Sequence, residues 1–169
     1  KTPNDAIKYF DELLDAHPTS VYYKFGKGLM LLRSERYQDT IPYFDDIINT
    51  FENDLKEYWP SASDLFLITF NSLYTKAIVL EVLNRKSEII SCFDQMIRSI
   101  EALILVHNDR FFSNELLVYK AQAYCLKNDY KNALNSLKEC IEFHRQVIPE
   151  TFPKFIKEID TIQEFEYLK

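Results

Sequence analysis

The residues that could do chemistry in this chain are few, and their spacing does not bring them together. The three histidines, His17, His107 and His144, are far apart. No HExxH or other i, i+4 histidine pair is present to build a metal-binding helix face. Each lies at or near the end of a predicted helix, where an imidazole interacts favourably with the helix dipole. The cysteines, Cys92, Cys125 and Cys140, are odd in number and widely spaced, which suits neither a disulfide framework nor a zinc ligand set. Core-packed thiols in a reducing, cytoplasmic compartment are expected. Gly26-Lys27-Gly28 lacks the GxxxxGK[ST] frame of a phosphate-binding loop and falls inside a helical run. In the acidic pairs Asp11-Glu12 and Asp45-Asp46, adjacent side chains point about 100° apart on a helix and do not converge on one ligand. The expectation is a protein that is not an enzyme and carries no cofactor or metal.

The composition narrows the classes further. Of 169 residues, 47% are hydrophobic and 15% aromatic, enough for a packed core. Only two glycines are present, whereas hairpins, dinucleotide-binding turns and phosphate cradles use glycine for positive φ. Helices joined by short polar turns do not need it. The net charge of −6 and the pI of about 5.1, with acidic and basic residues interspersed, argue against direct nucleic-acid binding. The apolar runs at 65–70 and 102–106 are too short for a membrane span, so membrane insertion is not expected. No signal peptide is recognised, and the first residues already read as helix, as they would if the chain continued upstream.

Periodicity and end signals predict helices over 3–16, 20–34, from about 39 to 53 or beyond, from 61–63 to about 84, and over 87–107, 113–126, 130–146 and 153–167. Asp39 is read as the cap of the third helix, which places Pro42 in its first turn, where a missing N–H costs nothing. Pro60 with Ser61 or Ser63 marks the next start. In the last helix Phe155, Ile159, Ile162, Phe165 and Glu166 are spaced along one stripe.

These helices contain a repeat. Its clearest copy runs from Lys120 to Cys140, with small Ala121, then Tyr124, the polar turn Asn128-Asp129, Tyr130, small Ala133, Leu137 and Cys140. Upstream, Gly26, Leu29, Tyr37, Thr40, Phe44 and Ile47 take the same roles, with two extra residues before Tyr37. Ala77, Leu80, Asn84, Ile89, Phe93 and Met96 make a weaker copy, and Ala6, Phe10, Leu13 and Pro18 resemble the second half of a truncated one. The pattern resembles that of the tetratricopeptide repeat (TPR) superfamily, in a divergent form with lengthened repeats. The steps from Ala6 to Thr40, Ile89 and Ala133 are 34, 49 and 44 residues, whereas the family period is about 34.

The resemblance implies an all-α fold, an α-solenoid of antiparallel helix pairs in a right-handed superhelix of about three and a half repeats. Residues 1–148 would hold the repeats and 149–169 a C-terminal capping helix, as one domain of a longer protein. It also implies a protein- or peptide-binding scaffold whose concave face is lined by the first helix of each pair. The corresponding positions are Tyr23, Lys27 and Met30; Tyr74, Ile78 and Glu81; and Val118, Gln122 and Cys125. The carboxylate-gripping subtype is not implied, because Tyr23, Lys27, Thr75, Glu115 and Tyr119 stand where that subtype has lysine, asparagine, asparagine, lysine and arginine. Two alternatives share the pattern: the ligand-sensing domain of a peptide-responsive bacterial transcription regulator, and a purely structural or oligomerising array.

Overall fold

The structure is a computed structural model that describes residues 2–57, 62–106, 110–150, 152–162 and 165. Among these residues it is all-α, with eight helices and no strand: α1 (Pro3–Ala16), α2 (Val21–Arg33), α3 (Tyr37–Glu57), α4 (Ala62–Val82), α5 (Lys86–Val106), α6 (Arg110–Leu126), α7 (Tyr130–Val147) and α8 (Phe152–Asp160). The chain divides into two compact units, Lys1–Cys92 and Phe93–Lys169, with the boundary inside α5.

Local chemistry sets the helix ends. Thr2 and Asp5 form a reciprocal capping box ahead of α1, with Pro3 at the first position. Ser20 caps α2 and Asp129 caps α7, each accepting from a backbone N–H three residues on. Three loops, after α2, α4 and α6, share one geometry. Glu35, Asn84 and Asn128 each adopt a left-handed φ of 58–62°. The N–H of each donates to the carbonyl three residues back, and the next N–H reaches the carbonyl five back: Arg36 to Leu31, Arg85 to Leu80 and Asp129 to Tyr124, at 2.8–3.0 Å. This double bond pattern satisfies the orphan carbonyls of a helix end and reverses the chain in three residues.

Several predicted ends shift for the same reasons. Because the first of these loops finishes at Arg36, α3 begins at Tyr37, and Asp39 lies within its first turn, paired to Arg36 rather than serving as the cap. Pro42 is therefore the sixth helical residue, beyond the first turn, with its ring exposed; the missing N–H deprives the Gln38 carbonyl of its helical donor. At the other end of the chain α8 stops at Asp160, earlier than predicted. Thr161 closes it by bonding both its N–H and its hydroxyl to the Glu158 carbonyl. Pro60, Ser61, His107 and Glu166 lie outside the described residues.

In the first unit consecutive helices pack on one another in the manner of a helical repeat, and α2 also touches α4. Gly28 lies against Phe44 while Lys24 reaches Asp46, so α2 and α3 run antiparallel. Phe44, Ile47, Ile48 and Phe51 of α3 are almost fully buried, each contributing about 1.5–3 kcal/mol of apolar transfer. α4 is packed on two faces, one carrying Phe66, Phe70, Leu73, Ala77 and Leu80, the other Thr69, Ser72 and Val79. Ser72 and Thr75 donate back to carbonyls one turn earlier at 2.7 Å, so their hydroxyls are paired within the helix.

That two-sided burial explains a feature the short apolar runs do not show. The stretch Leu65–Val82 is, by length and composition, the one candidate membrane span among the described residues, and half of it is buried inside the protein. A helix packed on both sides needs such a composition to form a core.

In the second unit α6 packs on α7 and α7 on α8. Ala121, Cys125, Ala133, Leu137, Ile159 and Phe165 form one cluster, flanked by Val118, Tyr124, Ile141, Phe155 and Ile162. Four residues of the predicted stripe, Phe155, Ile159, Ile162 and Phe165, thus do share one side of the C-terminal segment.

Glu35 is the one residue of the three left-handed positions whose side chain is poorly suited to it, at a cost of about 1 kcal/mol. Glu35→Gly is expected to raise stability by about 0.5–1 kcal/mol, read as a higher urea midpoint with an unchanged m-value.

Candidate functional site

The repeated loop supplies a structural ruler. Counting back from Glu35, Asn84 and Asn128, position −7 is Gly28, Ala77 and Ala121, all buried, and position −8 is Lys27, Lys76 and Lys120. Counting forward, position +5 is Thr40, Ile89 and Ala133. The small residue of the first copy is therefore Gly28 rather than Gly26, and no extra pair of residues precedes Tyr37. The two glycines serve different contacts: a Cβ at Gly28 would lie 2.8 Å from the Phe44 ring of α3, and one at Gly26 would lie 2.4 Å from Phe10 of α1.

This register changes the candidate set on α2. Tyr74, Ile78 and Glu81 hold positions −10, −6 and −3, as do Val118, Gln122 and Cys125. Their equivalents on α2 are Phe25, Leu29 and Leu32, all half-buried, and not Tyr23, Lys27 and Met30. Tyr23 instead sits at the amino end of α2 with its ring centroid 6.0 Å from that of His17, and Met30 is half-buried elsewhere on the helix. The signal that could have found this register is the lysine preceding each small residue, present in all three copies.

Lys27 is the start of an ion-pair series. It binds Asp11 of α1 and lies over the Tyr43 ring, 4.6 Å from its centroid. Burial opposes its charge, and the bonds to Asp11 and Tyr43 outweigh that, holding its pKa above the ordinary value. Lys76 of α4 makes the equivalent pair with Asp45 of α3 at 2.5 Å. Asp11, Asp45 and Asp94 are themselves equivalent, each five residues after Ala6, Thr40 and Ile89. In the second unit the same residue types pair two turns out of step: Lys120 with Glu101 at 2.9 Å and Lys127 with Asp94 at 2.6 Å. The lysines of these pairs are more buried than a surface lysine, with Lys27 and Lys76 only 14% and 16% exposed. They join α1 to α2, α3 to α4, and α5 to α6 and the turn that follows it.

On α4 the third face remains open. Leu67, Asn71, Ile78 and Val82 are exposed along it, with Tyr74 half-buried among them; Ile78 is 41% and Val82 55% exposed. Glu81 is exposed at its edge. In the second unit Val118 and Gln122 are half-buried, and Cys125 is buried in the core cluster. The Cys140 thiol is also buried, donates to the Asn114 carbonyl at 3.4 Å, and is pushed by burial up to about 12. Cys92 is buried and raised in the same way. Neither thiol has the ionised character that nucleophilic chemistry requires. Among the described residues, no group of three or more His, Cys, Asp and Glu side chains is arranged to hold a metal ion.

No protein-family model matches the chain, and no curated protein matches it in sequence.

Two substitutions test the register. Gly28→Ala drives a Cβ into the fully buried Phe44 ring, an overpacking cost of about 1–3 kcal/mol that exceeds the roughly 1 kcal/mol helix gain over glycine. Gly26→Ala meets half-exposed Phe10, which can swing aside. Urea unfolding should therefore show a net loss near 1 kcal/mol for Gly28→Ala and a smaller one, or none, for Gly26→Ala. For the ion pairs, a double-mutant cycle of Lys76→Met and Asp45→Asn should return a coupling of about 0.5–1 kcal/mol that shrinks in high salt.

Proposed function

We propose that the chain is a divergent tetratricopeptide-type array, an α-solenoid of antiparallel helix pairs, and that it binds a peptide or helix of a partner protein on the faces of its first helices. The observation that carries this reading is the open apolar face of α4, with Leu67, Ile78 and Val82 exposed beside half-buried Tyr74. A helix already packed on two sides has no folding reason to be apolar on a third. Three further features support the repeat. One loop geometry recurs at 49 and 44 residues, a small residue holds the same place before each loop, and lysine–carboxylate pairs recur in register. The neighbouring face on α2 carries Phe25, Leu29 and Leu32, and α2 and α4 are in contact. A row of apolar side chains on adjacent helices suits the apolar stripe of an amphipathic helix or an extended peptide with apolar anchors.

Site-directed photo-cross-linking tests the reading. A photoreactive residue at position 78 should capture a defined partner, and Ile78→Lys or Leu29→Lys should reduce its recovery at least about tenfold with the circular dichroism unchanged. Tyr23→Ala, two residues out of step with Phe25, should leave recovery intact. Equal recovery from Ile78→Lys and the unaltered chain would remove the α4 face as the site.

A further inference from the structure

The second unit carries a contact that the reading above does not use, between α8 and the face of α6 and α7. Phe155, Ile159, Ile162 and Phe165 lie in a cluster with Ala121 of α6 and Leu137 of α7, flanked by Val118 and Ile141. The seat is not filled: a cavity of about 420 Å³ remains among the three helices, with Glu115, Tyr119, His144 and Glu158 in its lining. α8 has nine residues, and isolated helices shorter than about 12–15 residues are marginal in water. Its helicity therefore depends on the seat. A short helix over an incompletely packed seat belongs to the part of a fold that opens most readily.

His144, in the last turn of α7, joins the two sides of this contact. Its ring stacks on Phe155 of α8 with centroids 3.6 Å apart. Its Nδ1 is buried and, among the described residues, has no hydrogen-bond partner. An imidazolium donates from both nitrogens, so the docked cation would carry a buried donor with no acceptor. Water meets that donor once α8 leaves. The groups facing the ring are Glu115 and Tyr119 from α6 and Glu158 from α8; Arg145, the next residue of α7, is exposed. Burial lowers the His144 pKa, the two carboxylates oppose it, and burial prevails. Burial and the Glu115 charge keep the Tyr119 phenol neutral. The docked state thus holds the imidazole proton less well than the released one. The contribution of His144 to docking is complete above its ordinary pKa of 6.5 and is lost as pH falls below it.

We infer that α8 is an acid-released latch, held over the α6–α7 face while His144 is neutral and freed when His144 takes a proton from solvent. Release uncovers Val118 and Ile141 beside Ala121 and Leu137, an apolar face that α8 otherwise keeps from water. Glu115 and Glu158 set the opposing limit. They attract the imidazolium and hold the latch closed further into the acid range than burial alone would. The device lies in one unit and does not depend on the α4 face, so either reading can fail alone.

Hydrogen exchange of the full chain at about pH 7.5 and about pH 5.5, either side of the ordinary imidazole pKa, reads the opening of α8 once each amide is corrected for its intrinsic rate. The α8 amides should exchange through an opening that leaves α6 and α7 closed. That opening should rise on acidification by up to about tenfold, the ceiling for one imidazole of ordinary pKa in the released state. Protection of α6 and α7 should change less. His144→Phe keeps an aromatic ring for Phe155 and cannot take a proton, so it should abolish the rise in α8. Glu115→Gln with Glu158→Gln removes the charges that oppose burial and should bring the rise closer to its ceiling. The inference is overturned by α8 protection equal to that of α7 at both pH values, or by an equal loss of protection in α6 and α7. A rise that persists in His144→Phe, or one that shrinks in the double glutamine variant, overturns it as well.

Discussion

Where α2 crosses α3, the chain has a hydrogen at Gly28 in place of a side chain, and the Phe44 ring occupies the space that a Cβ would need. The rest of the first unit is arranged around that approach. It lets Phe44 reach zero exposure and seats Ile47 and Phe51 one and two turns further on in the same buried row. The second unit uses the same device with alanine: Ala121 of α6 and Ala133 of α7 are both fully buried within the cluster that includes Leu137. Close approach at a small residue, with larger side chains packed beside it, lets short helix pairs exclude water without long side chains meeting head on.

The loop geometry and the ion pairs follow from that contact. A three-residue reversal with a left-handed residue places the small residue seven positions before the turn and its partner helix immediately after it. The residue next to the small one then faces the preceding helix, where a lysine can lay its stem on apolar surface and reach a carboxylate. Lys27 and Lys76 both do so, with Asp11 and Asp45. The slip to Lys120–Glu101 and Lys127–Asp94 keeps the charge pairing while shifting the contact by two helical turns, in line with the unequal lengths of the repeats. Partly exposed pairs of this kind contribute little stability each, and their value is in fixing which turns lie opposite one another.

How much of this was legible in the sequence differs from element to element. The ends of α1 and α2 were, because Thr2, Pro3 and Ser20 act within one turn of themselves. The start of α3 was not, since it depends on how the preceding loop spends its hydrogen bonds, and that put Pro42 deeper in the helix than a capping argument allowed. The choice between Gly26 and Gly28 was likewise open to pattern matching, because both are small and each admits a ring, Phe10 or Phe44. Only the geometry of the Glu35 turn separates them. On α2 the turn geometry makes Phe25, Leu29 and Leu32, two residues on from Tyr23, Lys27 and Met30, the equivalents of Tyr74, Ile78 and Glu81. The pocket among α6, α7 and α8 left no trace in the spacing, because Glu115, His144 and Glu158 come from three helices and line it only through packing.

The sequence by itself determined the helical class, most helix boundaries, and the periodic recurrence of a small residue, a polar turn and an aromatic or aliphatic pair, since each is written in contacts between residues a few positions apart. Tertiary structure decided which glycine meets which ring, which lysine meets which carboxylate, and which apolar residues of α4 enter a core and which remain exposed. Those outcomes depend on side chains tens of residues apart sharing one volume, and the pattern along a single helix does not specify which neighbour fills it.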